Sequence, residues 1–315
     1  MLPRPLQTLL LMLASFTTSS GQRGGLRVMT FNIWNSGKNV INGREKIAKH
    51  IALVDPDVVT LQETYVNVST ELIGMLGEQW QAVECPLGNY PDRVILTKHF
   101  IVPNTTIFTS AGVGVKILHR SGFMFYIWSV HLAYTSYGPY AAYNKLVTSI
   151  DQIMAGENLG RGPQMKEILE HPIMQSWIRK SRTYPLFVCG DFNGPSHLDW
   201  VEGNRRNHGG WIVSWPATRE LAQAGFIDAY RALYPDPLQY PGITWSTVNK
   251  FNPEWNYTIQ EPEDRIDFIH YLGPIRPLAV STYSGSEPLQ RMPYHQQNDY
   301  PSDHFALFGD FQLLL

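Results

Sequence analysis

The chain has 315 residues, of which 43% are hydrophobic, and this is enough for one large domain with a substantial core. Its 25 basic and 27 acidic residues leave a net charge of −2, which excludes a protein held to nucleic acid or anionic membranes by overall charge alone. A local basic patch remains compatible with this balance. No linker, charge block or repeat divides the chain, so we expect a single domain over residues 22–315.

The N-terminus has the order of a secretory signal peptide. Arg4 precedes an apolar run from Leu6 to Phe16, and small polar residues follow. This predicts removal of residues 1–21, with cleavage between residues 18 and 22, and a secreted protein. The run is too short for the roughly 20 residues that span a bilayer. An uncleaved anchor or a buried first strand is the alternative, and no later segment has the pattern of a transmembrane helix.

Two further features of the sequence relate to secretion: glycosylation sequons and cysteines. Acceptor sequons for N-glycosylation occur at Asn67, Asn104 and Asn256, although such triplets also arise by chance. An oxidising compartment would allow Cys85 and Cys189 to form a disulfide. Because Cys189 lies in an apolar strand, a buried free thiol is the expectation and the disulfide is the alternative.

Several apolar strands are predicted to end or begin with a polar side chain. In chain order they are LRVMTFN (to Asn32), DVVTLQE (to Glu63), FYIWSVH (to His131), PLFVCGDFN (to Asp191 and Asn193), RIDFIHYL (with Asp267) and PSDHFALFGDF (with Asp303 and His304). Apolar periodicity predicts helices over residues 43–53, 71–77, 144–154, 164–180 and 218–224. Strands alternating with helices, then strands joined by loops, predict an α/β sandwich with mixed sheets.

We expect the polar residues at these strand ends to meet at one rim, where open α/β sheets place ligands. Taken singly, each residue would serve equally well as a cap of its strand. Several acids at one rim require a cation, and carboxylate and amide oxygens suit Mg²⁺, Mn²⁺ or Ca²⁺. The sequence has no CxxC, no HExxH and no histidine cluster at zinc-ligand spacing, which disfavours a zinc site.

In this order and spacing, the segments TFNIW, LQE, SVHL, GDFN, RIDFI and PSDHF resemble the endonuclease/exonuclease/phosphatase superfamily. The superfamily includes deoxyribonuclease I, abasic-site endonucleases, neutral sphingomyelinases and inositol polyphosphate 5-phosphatases. The resemblance implies the deoxyribonuclease I-like fold: a four-layer α/β sandwich of two packed mixed β-sheets flanked by helices. It also implies metal-dependent hydrolysis of a phosphoester.

The resemblance assigns the metal site to three residues. Glu63, with Asn32 beside it, would hold Mg²⁺ (or Mn²⁺ or Ca²⁺), and Asp303 would bind that ion or a second one. The cation would neutralise the phosphoryl oxygens and the charge that develops on the leaving group.

The same resemblance assigns five catalytic residues. Asp191 would orient or deprotonate the attacking water, and Asn193 would donate hydrogen bonds to phosphoryl oxygens. His304 would lie against the phosphate, fixed by Asp267, and His131 would donate to a phosphate oxygen or the leaving group. Whether the general base is the aspartate or a histidine stays open.

A further carboxylate matches the pattern of deoxyribonuclease-like members. Asp92, in PDRVILTK, stands where such members place the group that orients the first histidine, and a turn aspartate is the alternative. Arg93 beside it would point at the substrate.

The substrate is less well defined than the chemistry. Arg205 and Arg206 would feed a nucleic-acid groove or belong to a solvated loop. Tyrosines recur at 134, 137, 140 and 143, and Gly138 and Pro139 within this segment favour a loop over a helix. Tyr134, Tyr137 and Trp245 are expected to contact the substrate by stacking or hydrogen bonding.

The sequence favours a secreted phosphodiesterase for a nucleic acid or nucleotide. A sphingomyelinase-like phospholipid phosphodiesterase and a small sugar-phosphate phosphatase are the alternatives. The segment GGWIVSWP, with Trp211 and Trp215, would be a lipid wedge or buried core. A secreted binding protein without activity is an alternative of another class, but Glu63, Asp303 and His304 are all retained. We expect a monomer with no obligate protein partner, and peripheral membrane contact only if the substrate is a lipid.

Overall fold

The computed structural model describes residues 25–86, 88–252 and 255–314, so the predicted signal peptide lies outside the described residues. The strands are β1 (Gly25–Asn32), β2 (Val58–Thr64), β3 (Gln81–Glu84), β4 (Asp92–Thr97), β5 (Phe100–Ile101), β6 (Ile107–Phe108), β7 (Gly112–Leu118), β8 (Met124–His131), β9 (Leu186–Asp191), β10 (Ile227–Asp228), β11 (Asp267–Leu272), β12 (Ile275–Tyr283) and β13 (Ala306–Leu313). The helices are α1 (Gly43–Val54), α2 (Val68–Leu76), α3 (Gly138–Tyr143), α4 (Ile150–Leu159), α5 (Arg161–Glu170), α6 (Pro172–Lys180), α7 (Pro216–Gln223) and α8 (Ala229–Leu233).

The strands form two mixed sheets. The first has six strands in the order β12-β13-β1-β2-β4-β3, and the second has the order β10-β11-β9-β8-β7-β5, with β6 paired to β7. Only β1–β2 and β8–β9 are parallel among the described strand pairs. These two parallel pairs occupy the middle of their sheets, and β1 packs against β9 across the sandwich.

Apolar side chains separate four layers. A core between the sheets joins residues such as Val28 and Ile95 of the first sheet to Val115 and Ile127 of the second. A second core fills the space between the first sheet, α1 and α2, and a third lies between the second sheet and α5–α7. The layers are therefore helix, sheet, sheet, helix, and the predicted four-layer α/β sandwich is confirmed.

The strand pattern delivers the polar residues to one rim. Asn32 ends β1, Glu63 is the penultimate residue of β2, His131 ends β8 and Asp191 ends β9. Because these are the carboxyl ends of the two central parallel pairs, their side chains converge. Asp267 and His304 reach the same rim from antiparallel neighbours, since Asp267 opens β11 and His304 precedes β13.

The helices differ from the sequence-based prediction at three places. Helix α3 covers residues 138–143, which were predicted as a loop, because Pro139 lies in the first turn, where its missing N–H has no helical partner to lose. The single helix predicted over residues 164–180 is two helices, α5 and α6, separated at His171 by Pro172. The helix predicted over 144–154 begins only at Ile150, after the Ser149 cap.

Cys85 and Cys189 are both buried free thiols, so the disulfide alternative is not realised.

Gly190, one residue before the end of β9, has φ of 146°, and a Cβ there would lie 1.9 Å from the carbonyl oxygen of Val130. A side chain at this position would push β8 away from β9, so glycine is required for the approach that brings His131 beside Asp191.

Candidate active site

Asp191 lies at the centre of the rim and is almost fully buried, with 1% of its surface exposed. Its Oδ2 atom accepts a hydrogen bond from Asn32 Nδ2 at 3.0 Å and lies 3.6 Å from His131 Nε2 and 3.7 Å from His304 Nε2. Its Oδ1 atom accepts the backbone N–H of Asn193 at 2.7 Å. One carboxylate oxygen thus faces two imidazole nitrogens and an amide, which fits a group that directs water and phosphate.

Each of the two histidines is oriented by a second carboxylate. His131 Nδ1 lies 2.7 Å from Asp92 Oδ1, and His304 Nδ1 lies 2.9 Å from Asp267 Oδ2. An Nδ1–H that donates to a carboxylate fixes the ring and turns Nε2 toward the reaction centre. The proposed roles of Asp92 and Asp267 as orienting groups fit this geometry.

The electrostatics keep both rings positively charged. Burial opposes the charge on His131, but Asp92, Asp191 and Glu63 outweigh burial and raise the pKa of His131 to about 9. Burial likewise opposes the charge on His304, while Asp267 and Asp191 raise its pKa well above the ordinary value. The two imidazolium groups beside Asp191 supply N–H donors that can meet the oxygens of a phosphodiester anion.

Glu63 is held in a constrained position. It has a positive φ of 63°, next to a register shift between β2 and β4. Its Oε2 accepts the backbone N–H of Asn35 at 2.6 Å, and its Oε1 accepts Asn32 Nδ2 at 3.1 Å. A non-glycine residue in this backbone region is held there by its surroundings, and such strain is typical of functional positions.

The amide of Asn32 positions the carboxylates. Its Nδ2 donates to Glu63 and Asp191, and its Oδ1 accepts the backbone N–H of Trp34 at 3.0 Å. Since carboxylates only accept and a backbone N–H only donates, this orientation of the amide satisfies all three partners. The Oδ1 atom keeps a second lone pair, so Asn32 stays a candidate ligand for a cation beside Glu63 and Asp303.

Asp303 has the environment of a metal ligand. Its Oδ1 atom is buried without a hydrogen-bond partner, and its Oδ2 atom accepts Trp245 Nε1 at 3.4 Å. Burial, together with the nearby charge of Glu63, raises the pKa of Asp303 to about 7. A divalent cation would neutralise both acids and pair with the free oxygen, so Glu63 and Asp303 fit a hard cation bound through oxygen.

Beside the rim lies a cavity of about 1040 Å³. Its lining includes aromatic and aliphatic side chains and reaches the candidate site at Asn193 and Asp303: Trp34, Tyr134, Tyr137, Tyr140, Leu146, Ile153, Leu159, Trp245, Trp255 and Met292. No lysine or arginine of the described residues lines it. The cavity can seat a bulky organic group while the phosphate meets the two histidines.

The structure brings Tyr134, Tyr137 and Trp245 to the cavity as predicted, but Tyr137 has a second partner. Its hydroxyl donates to buried Asp264 at 3.1 Å, and Tyr140 donates to buried Glu261 at 2.9 Å. These bonds use the hydroxyl protons of both residues, so their aromatic rings are what they offer to the cavity. Stacking is the contact that this wall offers.

Three predicted substrate contacts are not at the cavity. Arg93 is buried and is bound to Asp92 at 3.2 Å and to the carbonyl of Ser110 at 3.0 Å, so it supports the Asp92–His131 pair and does not point at substrate. Arg205 and Arg206 lie in a short 3₁₀-helix and do not line the cavity.

The two tryptophans of the candidate lipid wedge pack on the core. Trp215 is 1% exposed and packs in a small cluster with Ala142 and Ile153, and Trp211 packs against the same cluster. This is the buried alternative that the sequence analysis left open.

Two residues of the site were missed from the sequence. Trp34 lines the cavity and has a positive φ of 42° after β1; it belongs to the TFNIW segment, so the motif carried a signal. Thr244 accepts the backbone N–H groups of Ile266 and Asp267 at 2.9 and 3.0 Å and fixes the start of β11. A single threonine in a loop gives no sequence signal for that role.

The fold and the site define a metal-dependent phosphoesterase. Residues 29–304 match the Endonuclease/Exonuclease/phosphatase family, and the chain belongs to that family. It is 60% identical over 300 residues to an uncharacterized protein of Caenorhabditis elegans, covering 95% of both chains.

Solved structures share the fold at low identity. Truncated C. elegans TDP2 is 18% identical with a TM-score of 0.58, covering 91% of this chain and 97% of that one. The human Nocturnin catalytic domain, with a bound sulfate anion, is 20% identical with a TM-score of 0.56, covering 93% and 94%. D. rerio TDP2 complexed with a single-strand DNA product is 17% identical with a TM-score of 0.54, covering 91% and 99%.

Proposed function

We propose that the chain hydrolyses a phosphodiester by metal-assisted attack of water on phosphorus. The observation that carries the proposal is the convergence of His131, His304 and Asn32 on one oxygen of Asp191. A divalent cation at Glu63 and Asp303, with Mg²⁺ as the first candidate, would neutralise the phosphoryl oxygens and the leaving group.

The chain's own residues would then act on the substrate and the water. Asp191 orients the attacking water and accepts its proton, and the free N–H of the Asn193 amide, whose other N–H donates to the carbonyl of Leu132 at 2.9 Å, binds a phosphoryl oxygen. The imidazolium groups of His131 and His304 donate from Nε2 to phosphoryl oxygens or to the leaving oxygen.

The cavity supports a substrate with one phosphodiester at the rim and an aromatic or apolar group inside. A nucleotide or a single-stranded nucleic-acid end is the first candidate, since Trp34, Tyr134 and Trp245 offer faces for stacking. The likeness to a TDP2 structure complexed with a single-strand DNA product supports this choice. A duplex groove is less well supported, because no basic side chain of the described residues lines the cavity.

A phospholipid is the second candidate, and a different observation favours it. Four apolar residues that line the cavity are also exposed at its edge: Tyr134, Leu146, Leu159 and Trp255. An apolar rim around a phosphoesterase site suits a lipid surface. Within the described residues, no helix is both long and apolar enough to cross a bilayer.

A substrate panel tests the proposal. Purified protein with Mg²⁺, Mn²⁺ or Ca²⁺ is assayed on bis-p-nitrophenyl phosphate, single- and double-stranded DNA, RNA, sphingomyelin micelles and sugar phosphates, with Asp191→Asn as the blank. Cleavage of nucleic acid or nucleotide above the blank supports the first candidate, and cleavage of lipid alone supports the second. Metal binding without hydrolysis of any substrate would support the alternative of a binding protein.

We further propose that the protein is secreted and glycosylated. The support is the order of residues 4–20 in the sequence and the exposure of Asn67, Asn104 and Asn256 on the described surface. N-terminal sequencing of protein from a culture medium should find a terminus near residue 22, whereas an intact Met1 on secreted protein would contradict cleavage.

A further inference from the structure

A second cluster of metal-binding side chains lies at the end of the sandwich opposite to the catalytic rim. Asp57 precedes β2, His99 lies between β4 and β5, and His119 follows β7. Residues of the catalytic rim lie at the opposite ends of these strands: Glu63 is near the end of β2, and Asp92 begins β4. His131 ends β8, the antiparallel neighbour of β7. Since β2 has seven residues, the two sites are roughly 20 Å apart at about 3.3 Å per residue.

His99 is the unusual member of this cluster. It is 3% exposed, and neither of its ring nitrogens has a hydrogen-bond partner. Its Nε2 lies 3.3 Å from Asp57 Oδ1, close enough for an electrostatic contact although no hydrogen bond is formed. A buried polar ring without a hydrogen bond costs free energy, and such groups in folded proteins have a specific cause.

The neighbouring rings fit a shared ligand. The ring centroids of His99 and His119 are 4.0 Å apart, so the two imidazoles are close enough to bind one ion. One ligand atom each from Asp57, His99 and His119 can be chosen so that all lie within 4.8 Å of one another.

Outer contacts hold Asp57 and His119 in place. Asp57 Oδ2 accepts the backbone N–H of Arg27 at 2.7 Å, which leaves Oδ1 for a metal. His119 Nδ1 accepts the backbone N–H of Ser121 at 3.1 Å and lies 2.9 Å from the Ser121 hydroxyl, so the neutral ring carries its proton on Nε2. An ion bound at Nε2 would displace that proton to Nδ1, where it would donate to the Ser121 hydroxyl. Partners of this kind orient metal-binding histidines in known sites.

We propose that Asp57, His99 and His119 form a binding site for a transition-metal ion, with Zn²⁺ as the first candidate. Two imidazole nitrogens and one carboxylate are a donor set that Zn²⁺ accepts, with water as a fourth ligand. The site differs in chemistry from the oxygen-only pair Glu63 and Asp303, which suits Mg²⁺.

Such an ion would tie the two sheets together. Asp57 and His99 are attached to β2 and β4 of the first sheet, and His119 follows β7 of the second. These residues are far apart in the sequence, so they belong to no closely spaced zinc motif. The half-exposed positions of Asp57 and His119 give an ion a path from solvent.

The proposal is tested by calorimetric titration of the full mature chain with Zn²⁺. The chain is first stripped of metal, and excess Mg²⁺ is then added to occupy the catalytic site. We expect one Zn²⁺ site in the wild type and a rise in the melting temperature on binding. His119→Gln and Asp57→Asn should weaken Zn²⁺ binding at least about tenfold, the lower limit seen when even an outer partner is lost.

Two controls separate this site from other effects. His171→Gln alters a histidine outside both clusters and should keep the wild-type affinity for Zn²⁺, while Glu63→Gln should keep it as well because it alters only the catalytic pair. His119 is half exposed, so its variant is expected to fold, and circular dichroism verifies this. Absence of a Zn²⁺ site in excess Mg²⁺, or equal Zn²⁺ affinity in the wild type, His119→Gln and Asp57→Asn, would overturn the proposal.

Discussion

The Nδ1 nitrogen of His304 lies 2.9 Å from Oδ2 of Asp267, although the two residues belong to different sheets. Asp267 opens β11 in the second sheet, and His304 precedes β13 in the first. The pair therefore connects the two sheets at the catalytic rim. It also turns His304 Nε2 toward Asp191. The contribution of the pair to catalysis is measured by kinetics, and its contribution to stability by thermal denaturation.

His304→Ala should reduce kcat/KM by about 10²–10⁴, because it removes a positioned charged donor. Asp267→Asn should reduce it less, since the ring remains but loses the carboxylate that fixes its tautomer and favours its charge. Steady-state kinetics on bis-p-nitrophenyl phosphate measures both. Wild-type kinetics for Asp267→Asn would show that the pair has no role in orienting His304.

Asp191→Asn should reduce turnover by at least about 10² while changing the melting temperature little. The substitution is nearly isosteric, and the amide oxygen can still accept from Asn32, but the charge that orients water and the imidazolium groups is lost. Kinetics and thermal denaturation are measured on the same preparation. Asp55→Asn, a surface acid paired with Lys98, is the matched control and should behave as the wild type.

Retained activity in Asp191→Asn would contradict the role assigned to this carboxylate. Loss of activity together with a large fall in melting temperature would mean that the residue is needed for folding at this buried position, and the kinetic result would then not support a catalytic role.

Glu63→Gln should abolish stabilisation by the catalytic cation. Millimolar Mg²⁺ or Mn²⁺ should raise the melting temperature of the wild type, since an ion that binds only the folded state stabilises it. The variant removes one of the two charges that face the cation, and its melting temperature should not respond. Glu170→Gln, an exposed glutamate at the end of α5, is the control. An equal response in all three proteins would place the cation elsewhere.

The sequence pattern predicted an α/β sandwich and its polar rim because both depend on local patterns, and the resemblance to the family implied the four layers. Apolar strands that end in one polar residue, such as those ending at Asn32 and Asp191, reveal where a sheet meets its ligands. The order of the motifs then indicated which polar residues act together. Asp92 was found in the same way, and its contact of 2.7 Å with His131 supports the match.

Contacts made across the sandwich were not predictable in this way. The helix at 138–143 depends on Pro139 lying in a first turn, and the same proline also occurs in loops. The orientation of the Asn32 amide follows from three partners on different strands. The burial of Arg93 against Ser110 depends on how β4 packs beside the loop before β7.

The charge of His131 sets an alkaline limit to activity. Burial lowers the pKa of His131, but Asp92 is the main group that raises it, and the resulting pKa is about 9. The ring therefore donates from Nε2 below that pH and loses its proton above it. The folded pKa exceeds the unfolded value of about 6.5, so the stability contributed by this charge is full below about pH 6.5 and is lost as the pH rises through about 9. We expect kcat/KM to fall above about pH 9. Asp92→Asn removes the attraction and should move this alkaline limb to lower pH, as a kcat/KM profile between pH 5 and 10 would show; an unchanged limb would mean that another group controls it.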